Sequence, residues 1–518
     1  MRGDFSVTSP AGDTLTPKSK KAMGLLALLA ASDNHKRLRR WIEDKLWSDR
    51  AGDQARGSLR TTLVDIRKSL GDFGHVLGSD RTSVWLVADH IETDLDDTDS
   101  TREFLEGLDI SDPEFNDWLM QMRMTLVRRP GANRSDIQMP ARVTIQCGEP
   151  WIRSSTQSVK PQIVNDQVGK IITDFVASSR RTINETSADL VIRTSIEEED
   201  GGAAIFVQVI DPRQDVIVHS DHCFTKDLNS FLRSQEVLGR FCWNVADLAL
   251  EKLPSLRRDD SPLAMRSGFV QSALRKVLSF DAEEMKTSLS VLDMANDQMD
   301  AGLYLALKAW AMTSMIMEGF LVEDAATLEE IASLLIRAEE LAPGDAMMAA
   351  VSANVQAILF EKHDAAISLA RRALRENPNN LFALQAMSVG RAAQGQFDQA
   401  YELSRHGKVV SALSKFEAMC NLHHSLLCMS LQRTEEAVAS SKIAADTSPA
   451  YRAPRRQLIG LHAAQNETVD TLRRVNELKI IEKDFNIERY LFDRSYPSNT
   501  LRKTGYLDRA RQTLTDPK

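Results

Sequence analysis

Leu59, Leu63, Ile66 and Leu70 recur at helical spacing, which predicts a helix over Asp53–Leu70 with one stripe in a core. At 100° per residue Gly57, Thr61, Val64 and Lys68 fall on the opposite side, flanked by Arg60 and Arg67. Asp53 can cap the orphan amides at the start, and Gly71 can stop the helix in a left-handed turn. Alone, the stretch reads as a solvated surface helix; its neighbours reverse that reading. Upstream, Phe5–Thr8 alternates like a strand, Pro10–Asp13 is a turn, and Thr14–Thr16 is a second short strand. A first helix is expected from about Pro17 to Ala31, broken by Ser32–Asn34. A second, about Arg39–Trp47, should bury Leu38, Ile42, Leu46 and Trp41. The loop Ser48–Asp53 leads into the Asp53–Leu70 helix, and Val76–Val87 predicts a hairpin around Gly78-Ser-Asp-Arg81. Strands, three helices and a hairpin in this order make a winged helix-turn-helix.

After the Pro/Gly-punctuated stretch Arg128–Ser135, the period changes. Strand-like Ala141–Gln146, helical Val164–Ser178, strand-like Ala188–Arg193 and a polar turn at Glu197–Gly202 precede a hairpin of Ala203–Ile210 and Asp215–His219. A single helix from about Leu228 to Leu253 closes this small α/β domain. Beyond residue 261 the chain is helical and rich in Ala. Pro343 and Pro378 are 35 residues apart and Pro449 follows 71 later; Ala338, Ala373 and Ala444 keep the same offsets. Ala366 and Ala400 are 34 apart, with Gly395 at a turn, while the Pro expected near position 412 is Ala412. A period near 34 with small residues at helix crossings predicts a tetratricopeptide-like α-solenoid, in which stacked helix pairs curve around a concave face. The end, Tyr490–Arg511, reads as a closing cap. The expected fold class is therefore multidomain and mainly α: winged helix-turn-helix (1–90), an acidic helical segment and linker (91–135), an α/β domain (136–258) and helical repeats (261–518).

Several of these stretches carry a family resemblance. Lys20–Ala30, then Leu46-Trp47, then Ala55-Arg56, Leu59-Arg60, Leu63, Ile66-Arg67 and Leu70-Gly71 resemble the DNA-binding domain of SARP-type bacterial transcriptional activators, relatives of the OmpR/PhoB-type winged helices. The likeness runs over roughly the first 125 residues, through Phe104–Gly107, Phe115–Trp118 and Arg123. It implies double-stranded DNA and RNA polymerase as partners, with the Asp53–Leu70 helix in the major groove and the hairpin at the adjacent minor groove. On that pose Arg56, Arg60, Arg67 and Lys68 are candidates for phosphate or guanine contacts, and Thr61 and Val64 for base edges and a thymine methyl. Arg81 and Thr82 at the hairpin tip suit the backbone or minor groove. Asp65 would repel phosphate unless it reads a cytosine, pairs with an Arg or points away. The loop Ser48–Gly52 matches the position that contacts RNA polymerase in that family, or is an ordinary helix connection. The stretches Ala188–Arg193, Phe206–Pro212 and Val216–Ser220 resemble the TolB N-terminal-like module that sits between winged helices and repeat domains in bacterial regulators.

Charge agrees with the first resemblance. From Lys18 to Arg81 there are 14 Lys/Arg against 8 Asp/Glu, a local excess of +6 in a chain of net charge −9. Such an excess is what phosphate neutralisation requires, and it makes binding salt-dependent. From Asp89 to Asp117 the sign flips, with twelve Asp/Glu against Arg102 alone; this is a solvated linker, or a segment that screens the basic face.

Chemistry beyond this is sparse. The five cysteines are scattered, odd in number and without metal-type spacing, which fits a reducing cytoplasm. Lys18–Ala31 has the basic and apolar parts of a signal peptide, but its apolar run is too short to span a bilayer and sits behind a strand-like start, so a buried helix and a soluble protein are expected. Gly169-Lys170 lacks the remaining residues of a phosphate loop. His219, His222 and Cys223 read as structural, as do His423 and His424 on a helix. No cofactor, metal or catalytic constellation is expected. The leading expectation is a DNA-binding transcriptional regulator, an activator by resemblance, whose repeat domain senses or assembles through a protein partner or self-association. The alternative is a repeat-based adaptor whose winged helix does not bind DNA.

Overall fold

The computed structural model describes residues 1, 3–32, 35–48, 50, 52–87, 90–94, 104–108, 110–112, 114–116, 118–119, 122, 143–147, 159–176, 179–182, 188–199, 201–255, 262–299 and 301–515. The chain divides into two compact units, Met1–Gln138 and Met139–Lys518. The Arg128–Ser135 linker, Arg123 and much of the acidic run lie outside the described residues.

In the first unit, α1 (Lys20–Ala30) is apolar around its whole circumference and is correspondingly buried from Gly24 to Ala30. It begins three residues after the expected Pro17. The expected strands Phe5–Thr8 and Thr14–Thr16 meet at an isolated Thr8–Thr14 bridge, and the N-terminal chain also pairs, through Asp4, with Glu106. A short strand, β1 (Lys36–Leu38), precedes α2 (Arg39–Leu46). Its lack of an apolar run hid it from the sequence. Leu38, expected in the core, is 61% exposed: it ends β1 at the N-cap of α2 and does not share the buried stripe of Ile42 and Leu46.

Helix α3 (Gly52–Leu70) buries Leu59, Leu63, Ile66 and Leu70 as the spacing requires. Asp53 lies inside its first turn and pairs with Arg56 at 3.1 Å, so it is not the N-cap. Gly71, at φ +55°, ends the helix. Strands β2 (Leu77–Ser79) and β3 (Ser83–Leu86) form the expected hairpin, and β1 adds to β3 to give the antiparallel order β1-β3-β2. Gly78 faces Trp85 across the ladder, and a Cβ there would lie 2.3 Å from the indole, so only Gly lets the ring lie on β2. Phe104, Leu105, Leu108, Ile110, Phe115 and Leu119 complete the core, so the described part of the acidic region is packed rather than a solvated linker. Asp112 is 1% exposed and accepts hydrogen bonds from Ser48 N and Oγ, both at 2.9 Å.

The second unit begins with a five-stranded sheet of order β5-β4-β6-β7-β8. Strands β4 (Val143–Cys147), β5 (Ser179–Thr182) and β6 (Leu190–Glu199) are parallel; β6, β7 (Gly202–Asp211) and β8 (Val216–Thr225) form an antiparallel meander. β5 reads Ser-Arg-Arg-Thr and had no apolar signal. Helix α4 (Lys160–Asp174) packs on the sheet. The single helix expected over Leu228–Leu253 is two, α5 (Leu228–Arg233) and α6 (Gln235–Lys252). Ser234 accepts from Val237 N as an N-cap and restarts the chain in a new direction.

Helix pairs follow: α7 (Pro262–Leu278) and α8 (Ala282–Met299), α9 (Gly302–Glu318) and α10 (Ala325–Leu341), α11 (Ala346–Ile358) and α12 (His363–Glu376). Next come α13 (Leu381–Ala393) and α14 (Phe397–Val410), α15 (Glu417–Ser430) and α16 (Thr434–Thr447), and α17 (Arg452–Ala464) and α18 (Thr468–Ile481). The short helices α19 (Ile487–Phe492), α20 (Asn499–Lys503) and α21 (Tyr506–Thr515) close the array. Ala338, Ala366, Ala373, Ala400 and Ala444 are all fully buried, as small residues at repeating helix crossings must be. The chain is thus mainly helical, with a C-terminal helical repeat region.

Two features depart from a simple open solenoid. All but three residues of α9 are buried, and Glu318 at its C-terminal end accepts from Arg452 N at 3.0 Å, so α9 is enclosed and offers no open face to a partner. The α/β segment is also fused to the array. Trp243 Nε1 donates to Asn379 O at 2.8 Å, and Asn377 and Asn380 donate to Asp174 Oδ2 at 2.7 and 2.9 Å. No described helix is long and apolar enough to cross a membrane.

Candidate nucleic-acid interface

The first unit gathers basic side chains where three elements meet. The N-terminus of α2 contributes Arg39, Arg40 and Glu43; the first half of α3 contributes Arg56 and Arg60; the β2–β3 turn contributes Asp80, Arg81 and Thr82. With Leu38 these residues line one groove, in which five arginines face two carboxylates. The turn is fixed to α2 by two hydrogen bonds: Arg39 N–H donates to Thr82 O and Arg39 Nε to Asp80 O, each at 2.8 Å. The Asp80 carboxylate accepts from the amides of Thr82 and Ser83, both at 2.7 Å. These bonds hold its pKa below the usual carboxylate range and use its charge inside the turn. Burial pushes the Glu43 carboxyl up, against the pull of Arg56, Arg39 and Arg40. Five arginines against two carboxylates leave the groove with an excess of positive charge, and the guanidiniums of Arg40, Arg56, Arg60 and Arg81 are exposed.

A second, polar groove runs along the other flank of α3, lined by Lys21, Arg50, Gln54, Gly57, Ser58 and Thr61 among others. Arg50 Nη1 donates to Ser58 Oγ at 2.8 Å. The exposed ridge of α3 stands between the two grooves and carries Gly57, Thr61, Val64 and Lys68, with Val64 59% exposed. A Cβ at Gly57 would meet nothing within 4 Å, so the ridge is open there.

Arg56, Arg60, Arg81 and Thr82 come together in the first groove, and Thr61, Val64 and Lys68 share the ridge. Arg67 does not join them. It is half-buried and reaches β2, donating to Leu77 O at 3.1 Å and Ser79 Oγ at 2.9 Å. Asp65 is exposed on α3. Arg39 and Arg40 were missed, although the run Arg37-Leu-Arg-Arg40 at the start of a predicted helix was a readable signal. In the loop expected at RNA polymerase, Ser48 is tied to Asp112, while Asp49 and Ala51 lie outside the described residues.

In the second unit His219 faces Lys252 Nζ at 3.1 Å and His222 packs edge-on against Phe224, so these histidines serve separate contacts. His424 is fully buried on α15, with Cys428 and Glu436 beside it.

No protein-family model matches the chain, and no curated protein does. Among solved structures, YrrB, a TPR protein with an unusual peptide-binding site, is similar over 37% of this chain and 93% of its own, at 14% identity and a TM-score of 0.24. PilF of Pseudomonas aeruginosa is similar over 41% of this chain and 94% of its own, at 15% identity and a TM-score of 0.28.

Proposed function

We propose that the first unit is a winged helix-turn-helix that binds duplex DNA, and that the chain is a cytoplasmic transcriptional regulator acting as an activator through RNA polymerase. The observation that carries this reading is the groove in which Arg39, Arg40, Arg56, Arg60 and Arg81 converge beside the exposed ridge of α3. In the proposed pose α3 enters the major groove. Thr61 and Val64 then face base edges, Arg56, Arg60 and Lys68 face phosphate or guanine, and the Arg81–Thr82 tip lies at the neighbouring backbone. Arg39 and Arg40 extend the phosphate track. The second unit, with its TolB-N-like segment and tetratricopeptide-like repeats, is the part assigned to sensing or assembly. The reading involves no catalysis and no cofactor.

The test is a salt titration of duplex binding by the full chain. Contacts from these six cations predict a fall of log affinity with log salt of slope about −5 to −6. Enrichment of bound sequences from a random pool should return a defined motif. Absence of binding, or binding indifferent to salt, would reject the reading in favour of a protein-binding adaptor.

A further inference from the structure

We propose that His424 Nε2, Cys428 Sγ and Glu436 Oε1 bind one divalent transition-metal ion of the zinc class, leaving a fourth position on the Tyr401 side for water. Helix α15 places His424 and Cys428 four residues apart on one face, and Glu436 stands at the third position of α16. His424 Nε2 is 2.9 Å from Glu436 Oε1 and 3.5 Å from Cys428 Sγ, and the three ligand atoms lie within 4.8 Å of one another. Ligands on a tetrahedral ion at ~2.0–2.3 Å are about 3.3–3.6 Å apart, so a small outward turn of the exposed end of Glu436 makes room. An imidazole, a thiolate and one carboxylate select zinc or cobalt over magnesium or calcium.

The surroundings orient each donor. Ser404 Oγ lies 2.8 Å from His424 Nδ1 and donates to Tyr401 O at 2.9 Å. It therefore accepts from Nδ1–H, which leaves the Nε2 lone pair for the ion. Tyr401 Oη donates to Glu436 Oε1 at 3.0 Å, and Arg433 Nη1 donates to Oε2 at 3.2 Å. The Arg433 guanidinium stacks over the Tyr401 ring at 4.1 Å, so its charge bears on the carboxylate oxygen away from His424. Coordination by Cys428 as a thiolate releases its thiol proton. Glu436 and Arg433, partly exposed, mark the way in.

The full chain, stripped with chelator under reducing conditions, is titrated with Co²⁺. The expected result is a saturable near-ultraviolet sulfur-to-cobalt band at one ion per chain, bleached by Zn²⁺, with affinity rising about tenfold per pH unit as one thiol proton is released. Cys428→Ser should abolish the band and Cys223→Ser should leave it. Glu436→Gln, which keeps the side-chain shape, should weaken affinity at least tenfold with an unchanged circular dichroism spectrum. No sulfur-to-cobalt band in the wild type, a band that survives Cys428→Ser, or an affinity unmoved by Glu436→Gln would each overturn the proposal. The second grouping, His462 with Glu467 and Asp470, has no thiol and cannot give that band.

Discussion

Arg67 Nη2 donates to Ser79 Oγ at 2.9 Å and to Leu77 O at 3.1 Å, so the last turns of α3 are tied to the strand that begins the hairpin. A cation that the sequence placed on the DNA-facing side thus joins two elements of the fold. Arg67→Ala should cost about 1 to 2 kcal/mol of stability in urea unfolding, since the hydrogen bonds of a half-exposed charge to Leu77 O and Ser79 Oγ are lost. Arg67→Lys should recover only part of it, because an ammonium does not reproduce the planar fork. The salt slope of duplex binding should stay the same in both variants. A slope reduced by about one unit would instead make Arg67 a phosphate contact.

Arg60→Ala, Arg40→Ala and Lys68→Ala should each leave the melting transition in place and lower the slope by about 0.9. All three side chains are exposed, Arg40 and Arg60 in the groove and Lys68 on the ridge. Leu63→Asp should by contrast unfold the unit, because Leu63 is 2% exposed and a carboxylate there has no partner. Should the three surface variants bind with the wild-type slope, the assigned face is wrong.

What the sequence reveals here depends on how local the determining contact is. The stripe of α3, the Gly71 stop and the hairpin over Leu77–Leu86 are written in neighbouring residues, and their positions follow from spacing alone. β1 and β5 were invisible because three or four residues without an apolar alternation become strands only when a distant strand supplies the partner. The one-residue error at the start of α3 turned an expected cap, Asp53, into an Arg56 partner. Arg56, Arg60 and Arg81 were readable as exposed cations, but their convergence with Arg39 and Arg40 requires the Arg39–Thr82 hydrogen bond that docks the hairpin on α2. Likewise His424, Cys428 and Glu436 are spread over thirteen residues with no metal-type spacing, and only the α15–α16 packing brings them together.

Two glycines of the first unit should respond to the same substitution with opposite signs. A Cβ on Gly24 would lie 2.5 Å from Ile110 Cδ1 and 3.0 Å from the Phe115 ring, so α1 admits this segment only because the side chain is missing. Gly24→Ala should therefore destabilise by about 1 to 2 kcal/mol, overpacking outweighing the gain in helix propensity. Gly57→Ala meets open space and should stabilise by about 0.5 to 1 kcal/mol. Urea titrations of both variants decide this. If DNA approaches the ridge at Gly57, that variant will also bind more weakly while being more stable.

The joint between the α/β segment and the array should weaken as pH rises. Burial is the largest influence on Asp174 and raises its pKa to about 7, against the donors of Asn377 and Asn380 and with the help of Asp345. Its folded pKa lies above its ordinary value of 3.8, so the folded protein holds the proton more tightly than the unfolded chain. The corresponding stability is complete below pH ~4, falls as pH rises toward ~7 and is lost above that, an effect on the order of 4 kcal/mol. Other carboxylates titrate in the same window, so the informative quantity is the difference between wild type and Asp174→Asn. Wild type should lose stability relative to the variant between pH 5 and pH 8, measured from denaturant midpoints, because the amide carries no charge at either pH. A wild type that gains on Asp174→Asn over that interval would mean that Asn377 and Asn380 hold the ionised carboxylate more strongly than burial opposes it.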